Sequence, residues 1–483
     1  MIQISCHVSI DTFLHILNHH SFSPPPSPPP SPAISPLSPM NRHRGELLYK
    51  CYKTLTTALL PVLHLHLRLR RLRGLEHAAR WLERLGRSSI PRPEGPLVWF
   101  HAVSLGEGMA AIPVIKRCVK ERPGLSVLMT TTTVSAFKVL KNLLPPKVMY
   151  QFAPVDIPAC VDAFIGYWKP NAVILIESEL WPNLIMSASR SGIKLALINA
   201  RISKKSLKRW TDPVAAPLIA LMLSKFTLII PLSKAEGVHV QLLHAPPLII
   251  SKSCDLKYCT AVAESDSKAA GSAQDLPVDF DDRMVWMASS IHKGEEKAIL
   301  GAHKKLVKIH PNVVVIIVPR HPQLGQCIAL IAENEGFKVA LRSHRDKLTP
   351  ETAIYLVDTL GELRDFYRLT PIAVIGGSFL PGLSGHNISE AAAAGCAVLT
   401  GPHVGQFSHM VSAMKQQSPL AVLQVSGEAD LETAIGELLC DQDLLEARQN
   451  AAKQAFHALS TGVVSLVWNL LCWHLIGETP CSS

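Results

Sequence analysis

Twelve consecutive residues decide the fold: Leu97-Val98-Trp99-Phe100-His101-Ala102-Val103-Ser104-Leu105-Gly106-Glu107-Gly108. The first part of this stretch is apolar and aromatic and predicts a buried strand. Ser104, Gly106 and Gly108 predict a tight turn, and apolar residues at helical spacing follow it. Because ligands of open α/β sheets bind at the carboxyl ends of the strands, we expect chemistry at this turn. The turn holds one carboxylate, that of Glu107.

Composition and charge exclude several classes of protein. The 483 residues are 48% hydrophobic and 18% charged, which is typical of a folded protein with room for two domains. The formal net charge is +10, but residues 42–87 alone hold eleven Lys or Arg against three Glu. The rest of the chain is therefore close to neutral, and it carries no aromatic-rich RNA-binding motif. We expect no nucleic-acid partner.

The eleven cysteines are scattered along the chain, and none forms a Cys-x-x-Cys pair. This pattern predicts a reducing compartment and no structural zinc.

The N-terminal region changes composition twice. Residues 1–40 form a Pro/Ser-rich tail that we predict to be disordered. Residues 41–96 interleave leucines with basic residues, and over 41–87 they predict an amphipathic helix that lies on a membrane surface. Four arginines cluster in this segment: Arg68, Arg70, Arg71 and Arg73. The alternative is a helix that packs on a domain with a solvated basic face, and a chain starting at Met40 would carry an organelle-targeting sequence here.

Two series of alternating strands and helices make up the body of the chain. Residues 97–235 and residues 283–430 each hold short, apolar, β-branched strand candidates, as parallel strands covered by helices do. They predict two Rossmann-like, doubly wound α/β domains. Residues 236–282 are expected to form a linker, and residues 431–483 a C-terminal helical segment. Two such domains in tandem enclose a cleft, which is the layout of the large nucleotide-sugar glycosyltransferase class.

Several sequence blocks, in order from about residue 45 to about residue 448, carry a resemblance to one family. The blocks are residues 99–107, Thr130-Thr131-Thr132-Thr133, Ile176-Glu177-Ser178-Glu179-Leu180-Trp181-Pro182-Asn183, Asn199-Ala200-Arg201-Ile202-Ser203, Asp255-Leu256-Lys257-Tyr258, Val318-Pro319-Arg320-His321-Pro322, Asp358-Thr359-Leu360-Gly361-Glu362-Leu363, and residues 376–378 with 385–390. With them the chain resembles the 3-deoxy-D-manno-octulosonic acid (Kdo) transferase family, most of all its plant mitochondrial version.

The resemblance implies a GT-B type glycosyltransferase that moves Kdo from CMP-Kdo to a glucosamine-based lipid A precursor (lipid IVA-like), with inversion at the anomeric carbon. It places the acceptor on the first domain and CMP-Kdo on the second. An inverting transfer needs a base for the acceptor hydroxyl, and the resemblance gives this role to Glu107. The alternative for Glu107 is a residue of the first helical turn that only complements the helix dipole.

The resemblance also assigns the binding residues. Arg320 has a forked guanidinium that suits a phosphate, Glu390 resembles the acidic residue that holds the nucleotide ribose, and residues 360–362 look like the family's cytidine-contact loop. The expected CMP-sugar-binding residues are Lys257, Pro319, Arg320, His321, Leu360, Gly361, Glu362, Gly377, Ser378, His386, Asn387, Ile388, Ser389 and Glu390. The expected acceptor-side residues are Glu177, Glu179 and Arg201.

The chain departs from the bacterial family pattern at two places. Ile388-Ser389-Glu390-Ala391 stands where that pattern has Pro-Leu-Glu-Pro, and Cys254-Asp255 stands where it has Gly-Asn. The first change affects the rigidity of the loop, and the second affects the nucleotide contacts near it.

We therefore expect an enzyme whose partners are CMP-Kdo, a glycolipid acceptor and a membrane surface. No cofactor and no metal are expected, since no Asp-x-Asp pair lies in a suitable loop. The expected location is the mitochondrion, peripherally on a membrane; another organelle or the cytoplasmic face of a membrane is the alternative. Two other functions stay open, a nucleotide-sugar epimerase or hydrolase of the same architecture and a catalytically inactive, membrane-tethered binding protein.

Overall fold

The computed structural model describes residues 39–262, residue 280 and residues 283–477, which form two compact units. The first unit holds the described residues up to Leu256 together with those from Gly462 onward, and the second is Lys257–Thr461. The tail predicted for residues 1–40 lies outside the described residues except for its last two.

Six parallel strands form the sheet of the first unit: β1 Leu97–His101, β2 Ser126–Thr131, β3 Met149–Phe152, β4 Ala172–Ile176, β5 Lys194–Ala200 and β6 Leu228–Pro231. Their order is β3-β2-β1-β4-β5-β6. The helices that precede and connect them are α1 Pro39–Ala58, α2 Leu60–Leu72, α3 Leu105–Glu121, α4 Val134–Leu140, α5 Pro158–Trp168, α6 Pro182–Arg190, α7 Lys204–Trp210, α8 Ala216–Leu223 and α9 Lys234–Leu242. Strands β1 and β4 are buried at every residue, because helices cover both faces of the sheet.

The second unit has a parallel sheet of seven strands: β7 Val285–Ile291, β8 Val314–Pro319, β9 Lys338–Leu341, β10 Thr352–Leu356, β11 Ile372–Ile375, β12 Ala397–Thr400 and β13 Leu423–Gln424. Their order is β13-β12-β11-β7-β8-β10-β9. Its helices are α10 Lys257–Val262, α11 Glu296–Ile309, α12 Gly325–Asn334, α13 Leu363–Arg368, α14 Ser389–Ala394, α15 Ser408–Gln417, α16 Glu428–Cys440 and α17 Gln442–Ser460. The prediction of two doubly wound, parallel α/β domains is confirmed.

Each sheet has a point at which the chain reverses the direction in which it adds strands. In the first unit this point lies between β1 and β4, and in the second between β7 and β11. Connections leave such a pair of strands toward opposite faces of the sheet and open a crevice at their carboxyl ends. The loops after these four strands are therefore where ligands of either unit are expected.

The turn after β1 begins α3 through a capping box. Ser104 Oγ accepts the backbone N–H of Glu107 at 3.4 Å, and the Glu107 carboxylate accepts that of Ser104 at 3.3 Å. Gly108 lets α3 approach α4, since a Cβ at this position would overlap the Leu140 side chain. Gly106 faces open space. The sequence around the turn thus fixes the position of Glu107.

The linker predicted for residues 236–282 needs a correction over its first part. Helix α9 occupies its beginning, capped by Ser233, whose side chain accepts the N–H of Glu236 at 3.3 Å. Val240, Leu243 and Ala245 join the core of the first unit. This helix has little helical periodicity in its apolar residues, which is why the sequence does not reveal it. Residues 263–279 of the predicted linker lie outside the described residues.

The chain returns to the first unit in a last helix, α18 Val463–Leu471, which continues as a π-helix over Cys472–Ile476. Trp468 Nε1 donates to the Glu121 carboxylate and Arg117 donates to Ser465, so α18 is tied to α3. By length and composition alone, Gln442–Ile476 could cross a membrane. The burial of Trp468 and Leu471 within the first unit accounts for the apolar side of α18.

Helices α1 and α2 pack on the first unit with one face each. Tyr49 and Tyr52 of α1 join the main core, while Leu63 and Leu67 of α2 form a smaller cluster with Trp81. The opposite face of both helices remains exposed and carries apolar side chains among the arginines: Leu47, Val62, Leu65, Leu69 and Leu72. The segment is therefore a packed helical pair with an apolar and basic outer surface.

A buried carboxylate joins α1 to α6. Asp156 accepts hydrogen bonds from the Tyr52 hydroxyl at 3.0 Å and from the N–H groups of Asn183 (3.1 Å) and Leu184 (2.9 Å). Burial raises the pKa of Asp156 to about 6, and the three hydrogen bonds offset only part of this rise. Asn183 Nδ2 also donates to Thr56 of α1 at 3.1 Å.

We predict that Asp156→Asn changes how stability depends on pH. The raised pKa means that the folded chain binds this proton more tightly than the unfolded chain, so wild-type stability gains from protonation as the pH falls from 7 to 5. The variant lacks this gain. Urea unfolding of wild type and Asp156→Asn between pH 7 and pH 5 measures this difference in stability. Asp443→Asn, at an exposed position in the first turn of α17, is the control. Parallel stability curves for wild type and Asp156→Asn would contradict the assignment.

Candidate active site

Glu107 lies at the reversal point of the first sheet, in the first turn of α3. Its Oε2 accepts the N–H of Val103 at 2.7 Å and that of Ser104 at 3.3 Å. The side chain is half-buried. Burial raises the pKa of Glu107, and the nearby Glu177 carboxylate adds to the rise, while the hydrogen bonds from Val103 and Ser104 lower it. Glu107 is thus a fixed carboxylate with increased affinity for a proton.

Two further carboxylates follow β4, the strand next to β1. Glu177 has a left-handed backbone with φ of 63°, and its N–H donates to Ile198 at 3.0 Å. Glu179 is buried and accepts a hydrogen bond of 2.5 Å from Trp181 Nε1. Burial raises the pKa of Glu179 well above its usual range, and the charges of Glu107 and Glu177 contribute. The structure therefore brings Glu107, Glu177 and Glu179 together at one edge of the first sheet.

Arg201 follows β5 at the same edge. Its backbone N–H donates to the carbonyl of Glu177 at 3.5 Å, so the two loops run side by side. The bend before it is made by Asn199, which has a φ of 56°. Asn199 Oδ1 in turn accepts the N–H of Leu256 at 2.9 Å, which joins this edge to the end of the first unit. Arg201 lies near the carboxylate group through its backbone.

In the second unit the organising residue is Glu295, which the sequence analysis missed. This carboxylate is fully buried and accepts four backbone N–H groups across the reversal point of the sheet. One comes from His292 after β7 at 2.8 Å. Three come from the loop after β11, from Gly377 and Ser378 at 2.8 Å and Phe379 at 2.9 Å. Glu295 therefore holds two loops in one arrangement.

His386 lies on the loop that Glu295 holds. A Cβ at Gly377 would lie 2.6 Å from the His386 ring, and the φ of Gly377 is +67°, so only glycine suits this position. The His292 and His386 rings lie nearly in one plane, with an interplanar angle of 12° and ring centroids 5.1 Å apart, and they meet edge to edge. Their Nε2 atoms are 2.8 Å apart. The two rings form a pair above the backbone of Gly377.

Arg320 and His321 follow β8 and are exposed. The backbone N–H of Arg320 donates to Ile291 at 2.9 Å, beside the pairing of Ile291 with Pro319, the last residue of β8. The His321 ring lies 6.1 Å from His292, edge to face. Burial lowers the pKa of His386 to about 4, and the positive charge of Arg320 contributes. Arg320, His321 and His386 therefore lie close together, with His292 among them.

The predicted cytidine-contact loop after β10 is anchored by its own glutamate. Glu362 forms a fork with Arg342, with Nη2–Oε1 and Nε–Oε1 distances of 2.5 and 3.0 Å, and it also accepts a hydrogen bond from Thr359. Arg342 lowers the pKa of Glu362. At the tip of the loop, Leu360 is 81% exposed and Gly361 has a φ of +93°. The Glu362 carboxylate is engaged within the protein, which leaves the backbone and Leu360 to face a ligand.

The residues before and within α14 form a connected polar group. Asn387 Oδ1 accepts both the N–H and the hydroxyl of Ser389, at 3.0 and 2.8 Å. Asn387 Nδ2 donates to Glu390 at 3.3 Å, and Arg364 lies 3.6 Å from the other oxygen of Glu390. The Lys257 ammonium lies 5.4 Å from the centre of the Phe407 ring.

Four of the predicted binding residues have buried side chains, and one of them is Pro319, the last residue of β8. Ser378, Ile388 and Ser389 are 0% exposed. The Ser378 hydroxyl donates to Ile375 at 2.7 Å and accepts the N–H of Gly401 at 2.8 Å, while Ile388 packs in the core. These side chains shape the loops from inside, so a ligand would meet the backbone at these positions.

Sequence reasoning missed His292, Glu295 and Arg342. One signal was available for the first two, because His292-Lys293-Gly294-Glu295 directly follow β7 just as Ser104–Glu107 follow β1. No such signal marks Arg342, whose partner Glu362 lies twenty residues further along the chain.

Comparisons with known proteins agree on one family. The family model described as 3-Deoxy-D-manno-octulosonic-acid transferase (kdotransferase) matches residues 79–260. A protein of Arabidopsis thaliana named as a mitochondrial 3-deoxy-D-manno-octulosonic acid transferase is 56% identical over 432 residues, which cover 89% of this chain and 97% of that protein. The 3-deoxy-D-manno-octulosonic acid transferase of Haemophilus influenzae is 31% identical and covers 76% of this chain and 84% of its own.

Among solved structures, the UDP-GlcNAc 2-epimerase from Neisseria meningitidis bound to UDP-GlcNAc is similar with a TM-score of 0.55. The match covers 77% of this chain and 98% of that chain at 14% identity. At this identity the likeness concerns the fold, two parallel α/β domains of the GT-B kind.

We predict that Glu295→Gln destabilises the second unit by about 2–3 kcal/mol, because the amide NH2 group would face backbone N–H donors and leave them unpaired. Urea unfolding with fluorescence detection measures the loss. Glu333→Gln, on the exposed face of α12, is the matched control. A loss for Glu295→Gln no larger than that of the control would show that the four hydrogen bonds do not hold the loops.

Proposed function

The chain belongs to the 3-deoxy-D-manno-octulosonic acid (Kdo) transferase family and is a glycosyltransferase, and on this premise we propose that it moves Kdo from CMP-Kdo to a glucosamine-based lipid A precursor. The observation that carries the proposal is the carboxylate of Glu107, fixed by two N–H groups at the reversal point of the first sheet.

In the proposed step, an acceptor hydroxyl attacks the anomeric carbon of Kdo. Its proton passes to Glu107, and the bond from that carbon to the CMP phosphate breaks, with the electron pair leaving on the phosphate oxygen. Attack opposite to the leaving group inverts the anomeric carbon. A base with a pKa closer to neutral accepts such a proton more readily, and burial and Glu177 raise the pKa of Glu107 in this direction.

The other carboxylates and Arg201 are assigned to the acceptor side. Glu177 and Glu179 lie around Glu107 at the end of β4, where they can accept hydrogen bonds from the hydroxyl groups of a sugar. The pKa of Glu179, raised by burial, favours its neutral form, so this side chain can also donate a hydrogen bond. The backbone contact between Arg201 and Glu177 keeps this group together.

The second unit is assigned to CMP-Kdo. Arg320 supplies a fixed positive charge, and His321 and His386 supply hydrogen bonds suited to a phosphate. Gly377, Asn387 and Glu390 follow β11, and the carbonyl of Lys257 accepts a hydrogen bond from the Ser389 hydroxyl at 3.4 Å, so these four residues are added to the proposed donor site. None of these assignments requires a metal, since the positive charge comes from the side chains.

The outer face of α1 and α2 is proposed to lie on the membrane that holds the glycolipid acceptor. Exposed leucines can enter the boundary of the acyl chains while the arginines meet anionic headgroups. The Arabidopsis relative is named as mitochondrial, and we propose the same organelle for this protein.

We predict that Glu107→Gln lowers transfer 10²- to 10⁴-fold while CMP binding and stability stay unchanged, since only the proton acceptor is lost. As the pH is lowered, wild-type activity should begin to fall at a pH above the ordinary pKa of a glutamate. Glu107 must be ionised to accept the proton, and its pKa is raised. Radiolabelled lipid product measures the rate, and Glu94→Gln, at an exposed position before β1, is the control.

Incubation with CMP-Kdo alone separates transfer from hydrolysis or epimerisation. Rapid release of free Kdo without an acceptor, or an unchanged rate of transfer in Glu107→Gln, would overturn the proposal.

We predict that Arg68→Gln with Arg73→Gln weakens binding to vesicles of phosphatidylglycerol and phosphatidylcholine by about 1 kcal/mol per arginine. Leu65→Gln with Leu72→Gln should weaken binding to the same vesicles through lost apolar contact. Vesicle sedimentation measures both, and Lys204→Gln with Lys205→Gln on α7 is the matched charge control. Equal losses for the α7 and α2 charge variants would refute a specific membrane face.

A further inference from the structure

Two imidazole rings meet across the reversal point of the second sheet. His292 follows β7 and His386 lies on the loop after β11. Their Nε2 atoms are 2.8 Å apart, and the two rings are nearly coplanar, with centroids 5.1 Å apart and an interplanar angle of 12°. Ligands of α/β sheets enter at this place, so the pair lies where the donor site is proposed.

A contact of 2.8 Å between two Nε2 atoms requires one proton between them. In the neutral pair one ring donates its Nε2–H, and the other accepts and carries its own proton on Nδ1. The donor ring then has a lone pair on Nδ1. The pair can bind one more proton at that nitrogen without breaking the contact between the rings.

A fixed positive charge, that of Arg320, lies near the pair. Arg320 and His321 both face it, and the Glu295 carboxylate nearby is occupied by four N–H groups. Burial and Arg320 lower the pKa of His386. Burial lowers the pKa of His292, the Glu295 carboxylate opposes this, and His321 and Arg320 add to the lowering. Both rings are therefore neutral at pH 7 while no anion is bound. A phosphate that binds beside the pair favours its protonated form, because the negative charge of the phosphate stabilises a charged imidazole.

The pair is held in place before any ligand arrives. Glu295 fixes the backbone of His292 and that of Gly377, and the missing Cβ of Gly377 makes room for the His386 ring. Little rearrangement is then needed when the anion binds, which favours affinity.

We infer that His292 and His386 act as one proton-accepting unit that binds the phosphate of the cytidine nucleotide and takes up one proton from solvent as it does so. His292 thereby joins the donor site as a further binding residue. The added charge also opposes the negative charge that develops on the phosphate as CMP leaves. The inference rests on the proposed function, which makes CMP-Kdo the donor.

The test uses the full chain and the methyl ester of CMP. This phosphodiester keeps a single negative charge between pH 5 and 8, so it takes up no proton itself. Calorimetric titration in buffers of different ionisation enthalpy counts the protons bound with the ligand. Wild type should take up a proton on binding, and cytidine, which lacks the phosphate, should cause no uptake.

His292→Gln should bind the methyl ester about tenfold more weakly, the loss expected for one hydrogen bond to a charged group, and without proton uptake. Cytidine affinity should stay the same. His457→Gln, at an exposed position on α17, is the matched control and should behave like wild type. Proton uptake that persists in His292→Gln, or that is absent in wild type, would overturn the inference.

Nitrogen-15 NMR of the histidines in the wild-type chain tests the proton uptake without any substitution. The Nδ1 and Nε2 shifts of the pair should show two complementary neutral tautomers in the free protein and one charged ring in the complex. Transfer of Kdo by a wild-type protein without these changes would defeat this inference alone. Failure of wild type both to bind the methyl ester and to turn over CMP-Kdo would defeat the proposed function.

Discussion

The arrangement of the loops in the second unit depends on one buried carboxylate and the backbone N–H groups that it accepts. Glu295 collects four N–H groups from two loops that are more than eighty residues apart in sequence. A buried charge is costly unless hydrogen bonds replace its water, and here they replace it almost completely. The loops after β7 and β11 can therefore approach each other closely enough for the two histidine rings to meet.

The first unit uses a glutamate at the matching place for a different purpose. Glu107 also follows the first strand of a sheet at its reversal point, but it accepts N–H groups only from its own turn. Burial raises the pKa of Glu107, and the charge of the nearby Glu177 adds to the rise. Glu295 instead faces a row of backbone N–H donors from the loop after β11. The same position in the fold thus gives an anchor for two loops in one unit and, in the proposed mechanism, a proton acceptor in the other.

Local patterns in the sequence were enough to predict the two sheets, the turn that carries Glu107 and the family. Each of these depends on residues close together in the chain, such as the capping box of Ser104 and Glu107. What could not be predicted depends on distant partners. Arg342 engages the Glu362 carboxylate, and the buried hydroxyl of Ser378 bonds to backbone groups. A sequence motif identifies such residues, but it does not show whether their side chains face a ligand or form contacts within the protein.

The return of α18 to the first unit has a consequence for biosynthesis. The second unit is one continuous segment, Lys257–Thr461, whereas the first is assembled from two segments that the ribosome makes at different times. Domains generally fold as their chain emerges. Trp468 comes 347 residues after Glu121 of α3, to which its indole donates, so this side of α3 stays uncovered until α18 has been synthesised. During this interval the nascent first unit exposes an apolar surface that a chaperone would recognise.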